Sequence, residues 1–256
     1  MTSFTNIPYQ IIDDVLNSID EKYKNEIDNI NIPKHYNLVI TGSVGVGKST
    51  IAQLIYEYFK KLNIKTNIYP EYIEQKYENI DLGMTMLNAR SKGLISTETF
   101  QHFVLDIWNY QLRIKNFKDK DSINILERLP EDAMTCFVDE AYKSGLLNKE
   151  GYDNLWNKYK RLCVEYDIPS SEQCKLIVVD NNNHLVKTLN RILEIILDDF
   201  KNGTLNRIIG LQIEKDQYIK RIEKRGRNAE LNVDMNIFNK YTSFYNNYYT
   251  NFTNNA

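Results

Sequence analysis

The stretch Gly42-Ser43-Val44-Gly45-Val46-Gly47-Lys48-Ser49-Thr50 follows the apolar run Asn37-Leu38-Val39-Ile40-Thr41 and leads into a segment of helical periodicity, Ser49 to Leu62. The run before it is short, β-branched and bounded by Pro33 and Gly42, which predicts a buried strand. After it, Ile51, Leu54, Ile55 and Tyr58 fall on one stripe, which predicts a helix. Between the two, the glycines let successive backbone N–H groups turn inward around an anion where the helix presents its positive end. Lys48 adds a point charge for terminal phosphates, and Ser49 offers a hydroxyl to Mg²⁺. Strand, loop and helix together predict a phosphate cradle for ATP·Mg²⁺ running from Gly42 to Thr50.

Outward from this loop, further strands are expected at Thr66 to Tyr69, Ile123 to Leu126, Lys175 to Asp180 and Arg207 to Ile213. Long helical stretches such as Thr97 to Lys115 and Leu185 to Phe200 separate them. That alternation predicts an α/β fold with a parallel sheet of about five strands flanked by helices. Upstream, Ile11, Ile12, Val15, Leu16 and Ile19 recur at helical spacing. They predict one amphipathic helix between Tyr9 and Ile32, within an N-terminal helical extension (residues 1–33) of a single domain covering 1–256.

Composition narrows the partners. With 256 residues, 42% hydrophobic, and a net charge of -2, the chain can bury a sizeable core but carries no broad cationic field, which argues against a nucleic-acid partner. Its 3 cysteines form no CxxC pair, which suits a reducing, cytoplasmic setting. No signal-type or membrane-spanning apolar stretch is read, so no membrane partner is expected.

The acceptor has to come from other segments. In Ile68-Tyr69-Pro70-Glu71 a carboxylate follows the second strand, at the carboxyl edge where open α/β sheets place ligands, and Glu71 there can serve as a general base. In Thr99-Phe100-Gln101-His102-Phe103 a helical amide is flanked by rings, a combination suited to the edge and face of a flat base. Glu127 and Arg128 end the third strand, placing a carboxylate for Mg²⁺ and a guanidinium near the phosphates. The cation-rich stretch Arg221 to Glu230 puts Arg221 and Arg225 on one helical face ahead of Gly226, suited to a lid that neutralises transferring phosphate and excludes water.

In this order the segments resemble the deoxynucleoside kinase family, from about Leu38 onward. The resemblance implies a P-loop kinase fold with an Arg-rich lid, ATP and Mg²⁺, a deoxynucleoside substrate and a homodimer. It makes Glu71 the base for the 5′-hydroxyl, with Arg128 beside it. Gln101 and Phe137 would read and stack on the base, with Phe100 alongside, and Glu230 would hold the sugar 3′-hydroxyl. Ser49 and Glu127 would serve the metal, and Arg221, Arg225 and Arg227 would form the lid. Arg90 stands where the family has a sugar-binding Tyr, and Tyr77 is the candidate for a missing Trp. Trp108 and Ala133 stand where purine-handling members carry an Arg and an Asp, which favours thymidine or deoxycytidine. Alternatives are a nucleoside monophosphate kinase of thymidylate type and a nucleotide-binding protein without catalysis. Finally, Cys174 to Asn183 and the helix after it resemble the family's last strand-helix unit, which usually follows the lid. Here the unit precedes the lid strand, so the fifth strand is expected ahead of the fourth in sequence.

Overall fold

The phosphate-loop strand β1 (Tyr36–Thr41) is buried along its whole length in the centre of a five-stranded sheet. A computed structural model of the chain describes residues 9–19, 21–78, 80–182, 184–225, 239, 242–245 and 250. The other strands are β2 (Thr66–Tyr69), β3 (Ile123–Glu127), β4 (Lys175–Asp180) and β5 (Asn206–Gln212), all parallel to their neighbours, in the order β2-β3-β1-β5-β4. The helices that concern the site are α1 (Tyr9–Asn17), α2 (Glu21–Asn29), α3 (Lys48–Lys61), α4 (Leu82–Ser91), α5 (Thr97–Ile114), α6 (Lys149–Tyr166), α7 (Leu185–Asn202) and α8 (Lys215–Arg225).

The strand order bears out the reading of the swapped unit. Among the described residues β4 pairs only with β5, and β5 occupies the slot beside β1. β4 therefore precedes in sequence the strand that separates it from the centre. Its edge position shows in its exposure: Val178 is 36% accessible, while Lys175 and Asp180 place charges at its ends, where they discourage pairing with another chain.

Alternate residues of the inner strands feed two apolar layers, as the period of two requires. Leu38, Ile40, Ile125, Ile209 and Leu211 pack with α3 and α7 on one side. Val39, Leu126 and Ile208 pack with Phe100, Trp108 and Leu112 of α5 and Leu162 of α6 on the other. The N-terminal segment differs from the single helix expected. It is broken into α1 and α2 near Ser18, whose hydroxyl donates to the Asp14 carbonyl at 2.7 Å and so competes for the helix's own hydrogen bonding. Ile12, Leu16, Ile19, Tyr23 and Ile27 are all buried in the layer formed with α3 and α7, so the segment is part of the core.

Register is fixed by a row of asparagine amides crossing four strands. Asn67 donates to Asn124 at 3.2 Å, Asn124 to Asn37 at 3.0 Å, and Asn37 to Asn206 at 2.8 Å, and these residues are the facing pairs of the backbone ladder. A one-residue slip would break these pairs and leave the buried amides of Asn37 and Asn124 unmatched, so the row penalises misalignment. A second polar lock joins α7 to the sheet. Asp199 accepts from Tyr36 Oη at 2.7 Å and from Arg207 Nε at 2.7 Å, with a further contact to Arg207 Nη2, all three residues being buried. Such a set stabilises only while complete, because losing the carboxylate would leave a buried cation unpaired at a cost of about 3–5 kcal/mol.

Candidate active site

The loop between β1 and α3 owes its shape to Gly42, Gly45 and Gly47, all with positive φ and all crowded; a Cβ on Gly42 would lie 2.4 Å from the Leu211 carbonyl oxygen. Gly45 (φ 80°) leaves room for Tyr218 and Ile222 of α8, and a Cβ there would lie 3.0 Å from Ile222 Cδ1. Gly47 (φ 96°) caps α3, and its missing Cβ would lie 2.7 Å from Asn181 Nδ2 and 3.4 Å from Arg221 Nη1. Those two side chains grip the loop: Asn181 donates to the Val46 carbonyl at 2.7 Å, and Arg221 donates to the same carbonyl at 3.0 Å and to the Asn181 carbonyl at 2.6 Å. Burial lowers the pKa of Arg221. The helix read as the start of a lid is thus seated on the phosphate loop. Asn181 was not anticipated, because only the placement of β4 beside β5 brings it to Val46. Arg227 and Glu230 lie outside the described residues, as does the side chain of Arg225.

Lys48, buried at 5% exposure, donates to the Ser43 carbonyl at 3.1 Å, and its amine lies 3.9 Å from Glu71 Oε2. Glu71 Oε1 forms an ion pair with Arg128 Nε. Glu71 follows the Pro70 carbonyl, which is held by the buried Gln111 amide at 2.9 Å. Arg128 leaves β3 with φ 72°, a strained conformation for a residue with a side chain, and its N–H donates to the Ile40 carbonyl at 3.0 Å. Strain of this kind persists where the surroundings enforce it, here to aim a buried guanidinium at Glu71. Burial alone disfavours its charge, yet Glu71 and Asp132 more than compensate and raise its pKa above the usual value. Its Nη1 is buried without a hydrogen-bond partner among the described residues, leaving a donor for an incoming oxygen.

Glu127 accepts from Ser49 Oγ at 2.6 Å and from the Glu71 backbone N–H at 3.4 Å. Burial raises its pKa, Glu71 adds to that, and Lys48 and Ser49 oppose it. A buried carboxylate and a hydroxyl in contact at the end of a phosphate loop form a hard oxygen donor set, which fits Mg²⁺. No group of three acidic, His or Cys side chains could hold a metal among the described residues, so remaining ligands would come from phosphate and water.

The residues expected to face the acceptor lie on α5 and beside it. Phe100 and Gln101 are buried, and Tyr72, next to Glu71, meets the Phe100 ring edge-on at 5.3 Å and Phe103 at 6.3 Å. Arg90 stacks its guanidinium over Phe100 at 5.6 Å. Trp108 and Ala133 lie in the same apolar layer as Phe100. Tyr77 is 64% exposed on a small ribbon, so the aromatic group beside Glu71 is Tyr72. Phe137 sits on a π-helical turn, Ala133–Val138, an irregularity common at functional sites, and its ring lies 6.0 Å from Arg128 Cζ.

Asp132 adds a favourable negative charge to the surroundings of Arg128. It accepts from Thr41 Oγ1 at 2.7 Å, and burial raises its pKa to about 6. A carboxyl whose pKa is higher folded than unfolded contributes stability below its unfolded value and loses it as pH rises through the folded value. Asp132→Asn is therefore expected to flatten the fall in stability between about pH 4 and 6, read from urea unfolding midpoints across that range. An unchanged slope would show that the group does not titrate there.

The sequence model of the deoxynucleoside kinase family, described as "Deoxynucleoside kinase", matches residues 38–179, from β1 into β4. The chain belongs to the deoxynucleoside kinase family. The match spans the phosphate loop, Glu71, Gln101, Glu127, Arg128 and Phe137, and ends within β4, before β5 and α8. Among solved structures, the chain is similar to deoxyadenosine kinase from M. mycoides with bound dATP, at 19% identity over 84% of each chain and a TM-score of 0.50. It also aligns with that enzyme holding dCMP and a flexible dCDP, at 18% identity over 84% of each chain and a TM-score of 0.47. The first likeness shows that the deoxynucleoside kinase fold is shared. Comparison with curated protein sequences gives no match. No helix among the described residues is long and apolar enough to cross a membrane.

Proposed function

We propose that this deoxynucleoside kinase family member transfers the γ-phosphate of ATP to the 5′-hydroxyl of a deoxynucleoside, with a pyrimidine favoured. The observation that carries the proposal is the pair of ion pairs on Glu71, one oxygen against Arg128 and the other 3.9 Å from Lys48 of the phosphate loop. A carboxylate so held stands between acceptor and donor. Glu71 takes the proton of the 5′-hydroxyl as that oxygen forms its bond to the γ-phosphorus and the bond to the ADP oxygen breaks. Lys48 and the loop amides hold the donor phosphates, Arg128 Nη1 faces the developing charge, and α8 with Arg221 keeps water out. Bound at Ser49 and Glu127, Mg²⁺ would supply further neutralisation of phosphate charge.

The uncharged Trp108 and Ala133 support the pyrimidine preference, since they offer no ionic partner to a purine edge. Tyr110 and Ile114 of α5, 50% and 54% exposed, and Val164 of α6, 85% exposed, support a homodimer through helices. Three free thiols suit a reducing, cytoplasmic compartment. The test is product formation from ATP and Mg²⁺ with thymidine, deoxycytidine, deoxyadenosine, deoxyguanosine and dTMP in parallel. Pyrimidine 5′-monophosphates are expected at the highest rate. Phosphorylation of dTMP alone would make the chain a monophosphate kinase, and no product from any nucleoside would overturn the proposal.

A further inference from the structure

The helical turn at 242–245 brings a residue far along the chain onto the acceptor side of the site. Tyr245 is 3% exposed, its ring lies 5.4 Å from Arg128 Cζ, and its hydroxyl is 3.9 Å from Cys136 Sγ on the π-helical turn. Phe244 meets the Tyr245 ring edge-on at 5.3 Å, and Phe137, Phe244 and Leu176 of β4 pack against the small cluster that Tyr245 forms with Cys136. The Arg128 guanidinium is therefore constrained in two ways. Glu71 engages its edge, and the rings of Tyr245 and Phe137 lie within cation–π range of its plane.

We propose that Tyr245 is a positioning residue for Arg128: its buried ring fixes the plane of the guanidinium that aligns Glu71. A guanidinium held by an ion pair at Nε can still swing about that contact, and at this position rotation would carry Nη1 away from the acceptor oxygen. An aromatic face under the group opposes the swing without offering a competing hydrogen bond. Cys136 supports the ring from the hydroxyl end, and burial pushes its thiol well above the usual pKa, so it stays neutral there. The π-helical turn thus presents Phe137 to the guanidinium and Cys136 to Tyr245.

The inference rests on the proposed kinase reaction for its catalytic consequence, and on geometry alone for the contact, so two measurements separate them. Tyr245→Leu is expected to lower kcat about tenfold with KM for ATP unchanged, and Tyr245→Phe to restore kcat to within about threefold of the parent, using ATP with the best of the four deoxynucleosides. Equal losses in Leu and Phe, or a Leu variant with unaltered kcat, would overturn the positioning role. Independently of turnover, a double-mutant cycle of Arg128→Met and Tyr245→Leu, read from urea unfolding midpoints, is expected to be non-additive. Additive midpoints would overturn the contact itself. A parent enzyme inactive on every nucleoside would sink the kinase reading, leaving the cycle to decide whether Tyr245 holds Arg128.

Discussion

Glu71→Gln is expected to lower kcat by about 10²–10⁴, the range associated with removing a positioned general base, while KM for the nucleoside changes little. Gln preserves the shape of the side chain and can still accept from Arg128, so the loss isolates proton transfer from packing. It also removes the negative charge from beside a guanidinium that is 5% exposed, so a lower unfolding midpoint is expected alongside the kinetic loss. Turnover should therefore be compared at a temperature where both proteins are folded, with the circular dichroism signal as the check. A variant retaining kcat within about threefold of the parent would remove Glu71 from the base position, since removal of a general base should cost far more.

Lys48→Met is the second large effect. The amine is almost fully buried and lies among the Ser43 carbonyl and the Glu71 carboxylate, with Glu127 close enough to be influenced by its charge. Without it, the carboxylates lose a shared counter-ion and the transferring phosphate loses a fixed positive group. A fall in kcat of about 10²–10³ is expected, by analogy with removal of one preorganised donor to developing charge. Weaker ATP binding by titration calorimetry should accompany it. Intact ATP affinity together with intact turnover would mean that the loop binds phosphate without Lys48, leaving the backbone amides as the whole of the cradle.

The contrast between these residues and those that support them shows what a sequence can disclose. Gly42 to Thr50, Glu71, Glu127 and Arg128 stand at the ends of predicted strands, so their shared edge follows once the sheet is parallel. The ends of β4 agree with the reading, because Lys175 and Asp180 border the apolar run Leu176 to Val179. The helix break at Ser18 was not legible, since the apolar spacing of α1 and α2 fits a single helix and a competing hydroxyl leaves no mark in the pattern. Asn181, Gln111, Asp132 and Tyr245 were missed for a different reason. Each acts on a partner distant in sequence, and an isolated amide, acid or phenol carries no local signal of what tertiary packing will bring to it. The swapped strand unit was legible only through its likeness to a segment that normally comes later.

That swap has a consequence for how the molecule comes into being. On a ribosome, β4 and α7 emerge while the place beside β1 is still vacant, so the segment that will form the edge is made before the strand that must join it to the middle. β5 then enters as an insertion between two segments already made. Until it does, the Asn37 amide lacks its Asn206 acceptor, Asp199 lacks Arg207, and Val46 has neither Asn181 nor Arg221 in reach. The nascent chain should thus gain its affinity for nucleotide late and all at once, when a single strand closes the gap.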